Sequence, residues 1–157
     1  NAETHDNFFR LQLFSFSYRA GVPKDAVRHF NARNLPNPGK SVVGNQRTGL
    51  DARLRSEVLK LPGAREMVDD VVAASVEEVA AMLQRHEEAA GRAADGVASA
   101  DAGAGARVVK IGVGCDRGKH RSVSVVMQAC EELSVRGQLP ERVILVTPEH
   151  RGFGELA

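Results

Sequence analysis

What narrows the folds open to this chain is a glycine-bearing turn that links a buried strand to an amphipathic helix. Val108-Val109-Lys110-Ile111-Gly112-Val113 is a short apolar run, and Val123, Val126, Met127 and Cys130 follow at three- and four-residue spacing. Between them lies Gly114-Cys115-Asp116-Arg117-Gly118-Lys119-His120-Arg121-Ser122. Such a turn aims several main-chain N–H groups at one small volume, and the positive end of the helix dipole faces the same volume. Phosphate is the natural occupant, with Lys119, His120 and Arg121 adding side-chain donors.

The flanking segments extend the same architecture. Leu11-Gln12-Leu13-Phe14-Ser15-Phe16-Ser17 alternates as a half-buried strand does, and Tyr18 to Pro23 reads as a loop. The run from Ala26 to Arg33 is ambiguous between strand and helix, with strand preferred, before Pro36 and Pro38 forbid a helix. Thr48-Gly49-Leu50-Asp51 predicts a turn into a helix ending near Leu61-Pro62-Gly63. A second helix starts there with Pro62 near its first turn. Val68, Val71, Val72, Ser75, Val76, Val79, Met82 and Leu83 mark its buried stripe. Residues 89–106 are dominated by Ala, Gly, Ser and Asp and read as a flexible insertion whose alanines extend the helix before it frays. After the central unit, Gln138-Leu139-Pro140-Glu141 turns the chain and Arg142 to Thr147 forms a last strand. The prediction is a small single-domain α/β sandwich over residues 1–157, with a largely parallel sheet and a strand–loop–helix anion-binding site. Ligands of such sheets bind beyond the carboxyl ends of the strands, where the 114–122 loop falls.

At 157 residues, 43% hydrophobic and 26% charged, the chain has the size and composition of one globular domain. No apolar run approaches the roughly 20 residues needed to span a bilayer, so no membrane partner is expected. The opening Asn1 to Arg10 lacks the pattern of a secretory signal and an initiator Met, and reads as the start of an excised or processed piece. Net charge is only +1, but its distribution is uneven. Arg19, Lys24, Arg28, Arg33, Lys40, Arg47, Arg53 and Arg55 crowd the first third, while Glu66, Asp69, Asp70, Glu77, Glu78, Glu87 and Glu88 come later. A positive and a negative face are expected. Two cysteines are too few for a disulfide framework, and a reducing intracellular compartment is the expected location, cytoplasm by default or an organelle matrix. No Cys/His spacing resembles a zinc site. His5, His29, His86 and His150 are assigned no role.

Three phosphate-loop motifs compete at 114–122. A Walker A loop fails because Val113 and His120 break the spacing and the final Ser/Thr position. A dinucleotide fingerprint fails because Arg117 stands where its third glycine belongs. The spacing of Cys115, five residues, Arg121 and Ser122 matches the C-x5-R-[ST] of protein tyrosine phosphatases, with Cys115 as nucleophile, Arg121 as clamp and Asp51 the only defensible acid. A buried strand-end cysteine without catalysis is the preferred reading of Cys115.

Four blocks, in order over nearly the whole chain, resemble the C-terminal domain of the RapZ family of bacterial proteins. Ser15-Phe16-Ser17-Tyr18 with Gly21-Val22-Pro23 is similar to S-F-G-[FY]-x-x-G-x-P. Phe30-Asn31-Ala32-Arg33-Asn34-Leu35-Pro36-Asn37-Pro38 is similar to F-D-[VA]-R-[FC]-L-P-N-P. Thr48-Gly49-Leu50-Asp51 matches T-G-L-D, and Gly114 to Val123 resembles G-C-T-G-G-x-H-R-S-V. The resemblance implies a compact α/β domain that binds structured small RNA, senses an amino-sugar phosphate and self-associates, preceded in the bacterial proteins by a nucleotide-binding domain with a Walker motif. By position it implies a pocket of Asn31, Arg33, Asn37, Thr48, Asp51, Asp116, Gly118, His120 and Arg121. Departures fall in that pocket: Asn31 replaces an Asp, Gly39 a His, and Asp116-Arg117 a Thr-Gly. Asp116 repels a phosphate unless it pairs, and Arg117 is the expected partner.

The leading expectation is an RNA-binding module with no cofactor, its phosphate or ligand site built from Asn31, Arg33, Asn37, Thr48, Asp51 and the residues Cys115, Asp116, Arg117, Gly118, Lys119, His120, Arg121 and Ser122. Arg33, Lys40, Arg47, Lys119 and Arg121 are the RNA contacts expected. With no Trp and one Tyr, backbone and shape recognition is favoured over base stacking. Second comes a metabolite sensor or assembly subunit holding phosphate, sulfate or a sugar phosphate, with a protein partner or further copies of itself. A phosphatase using Cys115, Arg121, Ser122 and Asp51 ranks third.

Overall fold

The computed structural model describes residues 8–38, 48–96 and 105–153. β1 (Phe9–Ser17) and β3 (Val108–Cys115) lie at the centre of a five-stranded sheet. β2 (Arg28–Asn31) flanks β3, while β4 (Val143–Leu145) and then β5 (Glu149–His150) share the far edge of β1. Every described pairing is parallel. The helices are α1 (Ala52–Leu59), α2 (Ala64–Ala94) and α3 (Arg121–Val135).

Alternation along the strands sorts the sheet into two faces. Leu11 pairs with Val109 and Leu13 with Ile111. These side chains, with Val113, join Val68, Val71 and Val79 of α2 and Val125, Val126 and Ala129 of α3 in one core. Each fully buried leucine or isoleucine there contributes about 1.5–3 kcal/mol. α1 packs on α3 and buries Leu54 and Val58. The opposite face carries Phe14 and Phe16, whose rings lie across Gly112 and Gly114 of β3. A Cβ at Gly114 would stand 2.5 Å from the Phe16 ring and 2.6 Å from Tyr18.

Several local expectations are resolved by these contacts. The ambiguous run is strand over Arg28–Asn31, then a 3-10 turn over Ala32–Asn34. In α2 the stripe is buried as predicted except that Val76 and Leu83 are half-buried, and His86 and Ala89 extend it. The helix continues through Ala94, so the first alanines of the 89–106 stretch are helical; residues 97–104 lie outside the described part. The last strand proves longer and interrupted. Val146 N donates to Leu11 O and Arg151 N to Ser15 O, with the break at Thr147-Pro148, where proline has no N–H for a ladder. His86 packs edge-on against Phe9 at 4.9 Å, and its Nε2 lies 3.3 Å from Ala106 O, so it serves in the interior.

The charge segregation is smaller than expected. Arg28 reaches across to α2 and pairs with Glu77 at 3.0 Å and Glu78 at 3.9 Å, so part of the basic first third is answered by the acidic helix. Asp25 is likewise bound by Arg151 at 2.9 and 2.7 Å and by Lys110 at 3.5 Å. The hydrogen bonds from Arg151 hold its carboxyl well below the usual carboxylate range. A depressed folded-state pKa stabilises above the unfolded value and loses that stabilisation as pH falls towards the folded one. Asp25→Asn is therefore expected to destabilise at neutral pH, by under about 1 kcal/mol because the pair is solvent-screened. The difference from the parent should shrink below about pH 4, as urea unfolding followed by circular dichroism would report.

Candidate functional site

The carboxyl ends of β1, β2 and β3 come together around residues 116–120. β3 ends at Cys115, which pairs with Ser17 at the end of β1, and Asn31 of β2 pairs with Gly114. The loop is fixed from below and from both sides. Gly118 adopts φ +71°, and a Cβ there would stand 2.9 Å from the carbonyl carbon of Phe16. Gly152 presses on it from the C-terminal segment, its own Cβ position lying 2.7 Å from the carbonyl oxygens of Arg117 and Gly118. Ser17 Oγ donates to Asp116 O at 2.7 Å.

Cys115 forms the floor. Only 3% of it is exposed; its Sγ lies 3.1 Å from Ser122 Oγ and accepts from Gly118 N at 3.2 Å. α3 then begins at Arg121, with His120 as its N-cap and no side-chain bond to its first-turn amides. Ser124 ties back to His120 O through its N–H at 3.0 Å and its hydroxyl at 2.7 Å.

The Thr48–Asp51 turn docks on the same loop. Gly49 N donates to Lys119 O at 2.8 Å, and a Cβ at Gly49 would stand 2.5 Å from Ser124 N. Glycine is the residue that permits this approach to the first turn of α3. Thr48 Oγ1 accepts from Leu50 N, while Asp51 Oδ1 accepts from Arg53 N at 2.9 Å and Leu54 N at 3.1 Å as the N-cap of α1. An oxygen committed to capping is a different role from the general acid considered for Asp51.

Two charged residues differ from expectation. Asp116 pairs with Arg19 Nη2 at 2.8 Å, not chiefly with Arg117. Arg19 holds the Asp116 carboxyl below the ordinary carboxylate range, helped by the charges of Arg117 and Arg121. Arg121, expected as the phosphate clamp, is a brace: it is 9% exposed, and Nη1 donates to Leu35 O at 2.8 Å and Arg33 O at 3.3 Å. It joins the start of α3 to the segment after β2, because those carbonyls lie outside any ladder and need a donor.

What remains facing outward is cationic. Among the described residues, the side chains of Lys119 and Arg117 make no hydrogen bond or ion pair, and Arg117 is exposed. Arg33 is exposed too, its Nε donating to Asn31 Oδ1 at 3.0 Å, and Asn37 lies exposed beyond the 3-10 turn. Of the expected RNA contacts, the structure brings Arg33, Lys119 and Arg121 to one end of the sheet; Lys40 and Arg47 lie outside the described residues. Sequence reasoning missed Arg19, Ser17 and Gly152 as supports of the loop. Ser17 alone had a signal, standing in the Ser15–Tyr18 block. No group of His, Cys, Asp and Glu able to hold a metal occurs among the described residues.

The parallel sheet, with a strand–loop–helix unit at its carboxyl edge, defines an α/β domain of the kind that presents its ligand site on that edge. The chain belongs to the RapZ C-terminal domain family, whose family model matches residues 9–152. A nucleotide-binding protein of Arthrobacter sp. (strain FB24) is 32% identical over 153 residues, covering 98% of this chain and 42% of the relative. One from Frankia alni is 34% identical over 131 residues, covering 83% and 39%, and one from Thermotoga sp. (strain RQ2) is 30% identical over 130 residues, covering 81% and 38%. This chain thus spans about two-fifths of the length of these relatives. No described helix is long and apolar enough to cross a membrane.

Proposed function

We propose that this domain binds RNA by gripping backbone phosphate at the 116–120 loop, with Arg117, Lys119 and the first-turn amides of α3 as donors. The observation that carries this reading is the pair of cations, Arg117 and Lys119, whose side chains make no hydrogen bond or ion pair among the described residues, beside an Asp116 that pairs with Arg19. Elsewhere Arg28, Arg65, Arg136 and Arg151 each meet a carboxylate. Cations without counter-charges beside a helix N-terminus favour an anionic ligand. Arg117 is exposed and Lys119 half-buried at this edge, a placement that an extended polyanion can reach.

Binding by phosphate contact releases counterions, so affinity falls steeply with salt. Titration of a fluorescein-labelled structured RNA at about 50 and 200 mM salt should show that fall. The Arg117→Ala/Lys119→Ala double variant should flatten the slope by roughly two contacts. Salt-insensitive binding, or an unchanged slope in the variant, overturns the reading. Thermal stabilisation by a sugar phosphate, growing with the logarithm of its concentration in the absence of any salt-dependent RNA binding, would replace it with metabolite sensing.

A further inference from the structure

Tyr18, the chain's single tyrosine, stands at the carboxyl edge with a guanidinium laid on it. The Cζ of Arg33 lies 3.7 Å from the Tyr18 ring centroid, the distance of a stacked pair. The plane is set by more than stacking. Asn31 Oδ1 accepts from both the backbone N–H and the Nε of Arg33, each at 3.0 Å. Tyr18 is held from beneath, edge-on to Phe16 at 4.9 Å and to His29 at 6.4 Å. Burial raises the Tyr18 hydroxyl above its ordinary pKa, partly offset by Arg33, so the ring beneath the cation is neutral.

The guanidinium over the Tyr18 ring belongs to an exposed residue, so it is open to a second planar group. Arg33 is exposed, and among the described residues its Nη groups meet no acceptor. It is also next to the phosphate loop. Asn31 pairs with Gly114, the residue before Cys115, and Arg121 takes the Arg33 carbonyl. A rigid guanidinium plane loses little freedom when a second planar group covers it, and every nucleobase has such a face.

We propose that Arg33, fixed flat on Tyr18, is a platform on which an unpaired nucleobase stacks while the adjoining phosphate lies at the 116–120 loop. This rests on the RNA-binding reading above and narrows it to RNA with an unstacked nucleotide. Bases inside a duplex have both faces covered and cannot use the platform.

The test compares a short single-stranded oligoribonucleotide carrying 2-aminopurine with a blunt duplex of the same sequence, using the whole chain and its Arg33→Lys variant. Lysine keeps the charge and loses the plane. Wild type should raise 2-aminopurine fluorescence in the single strand, as the base leaves its neighbours, and Arg33→Lys should lose that rise and lower the preference for single strand over duplex by roughly tenfold, with the salt slope retained. Arg33→Gln, planar at its amide but uncharged, should retain part of the fluorescence rise while its slope falls by about one contact. Matching circular dichroism melts for the three proteins exclude misfolding. If Arg33→Lys keeps both the fluorescence rise and the preference, the platform is overturned and the phosphate-loop reading stands. If wild type binds neither RNA with salt dependence, both fall.

Discussion

An alanine at position 118 should lower the stability of this domain by about 3 kcal/mol. Two independent penalties add there. Gly118 adopts φ +71°, a left-handed conformation that costs an L-residue about 1–2 kcal/mol. The added methyl would also stand 2.9 Å from the Phe16 carbonyl carbon and 3.0 Å from Ser17 N, both backbone atoms that cannot rotate aside. Moving β1 or the loop to make room costs a further 1–3 kcal/mol or so. Gly137 provides the control: it has φ +62°, but nothing lies within 4 Å of its Cβ position, so Gly137→Ala carries the conformational penalty alone. In thermal melts followed by circular dichroism, Gly118→Ala should melt roughly 6–12 °C below the parent and clearly below Gly137→Ala. Equal losses for the two variants would mean that the loop does not rest on the end of β1. The same variant should weaken phosphate binding, since the 116–120 backbone would move with it.

Arg121→Met should be nearly as damaging, at about 1–3 kcal/mol, although it replaces a charged residue by an apolar one of similar length. Arg121 is 9% exposed, and its guanidinium serves Leu35 O at 2.8 Å and Arg33 O at 3.3 Å. Removing it leaves the Leu35 carbonyl, in a buried bond, without its donor, which is costlier than losing an exposed hydrogen bond. A structural brace and a phosphate clamp make opposite forecasts. Loss of a brace lowers the urea midpoint in the absence of any ligand. Loss of a clamp alone leaves the ligand-free protein as stable as before and weakens only anion binding. An unchanged midpoint would return Arg121 to the role its position after the loop suggested.

That contrast shows where the sequence was readable. The strands around Leu13 and Ile111 and the helix from Ala64 declare themselves through periodicities that the backbone imposes on any amphipathic segment. The place of the 114–122 loop followed from the same reasoning, because a parallel strand entering a helix through Gly114 to Gly118 must leave that turn at the sheet's carboxyl edge. The pairing of Arg19 with Asp116 was not readable, since Arg117, next in the chain, was the natural guess. Tyr18 was discounted as a stacking residue because it is alone in the composition, yet its value lies in what sits on it. The interrupted β4–β5 edge hid behind Thr147-Pro148, which resembles a strand's end.

Order along the chain therefore determined the elements, their buried stripes and the edge on which a ligand site could stand, since each depends on residues within a turn or two of one another. Only the folded arrangement decided which cations meet no carboxylate among the described residues, which arginine became a brace and which ring gained a guanidinium cover. Those outcomes depend on distances between segments far apart in sequence, such as Arg19 and Asp116 at 2.8 Å or Arg121 and Leu35 at 2.8 Å. A salt bridge or buried hydrogen bond forms with whichever partner packing brings within about 3 Å, and strand order, not chain order, makes that choice.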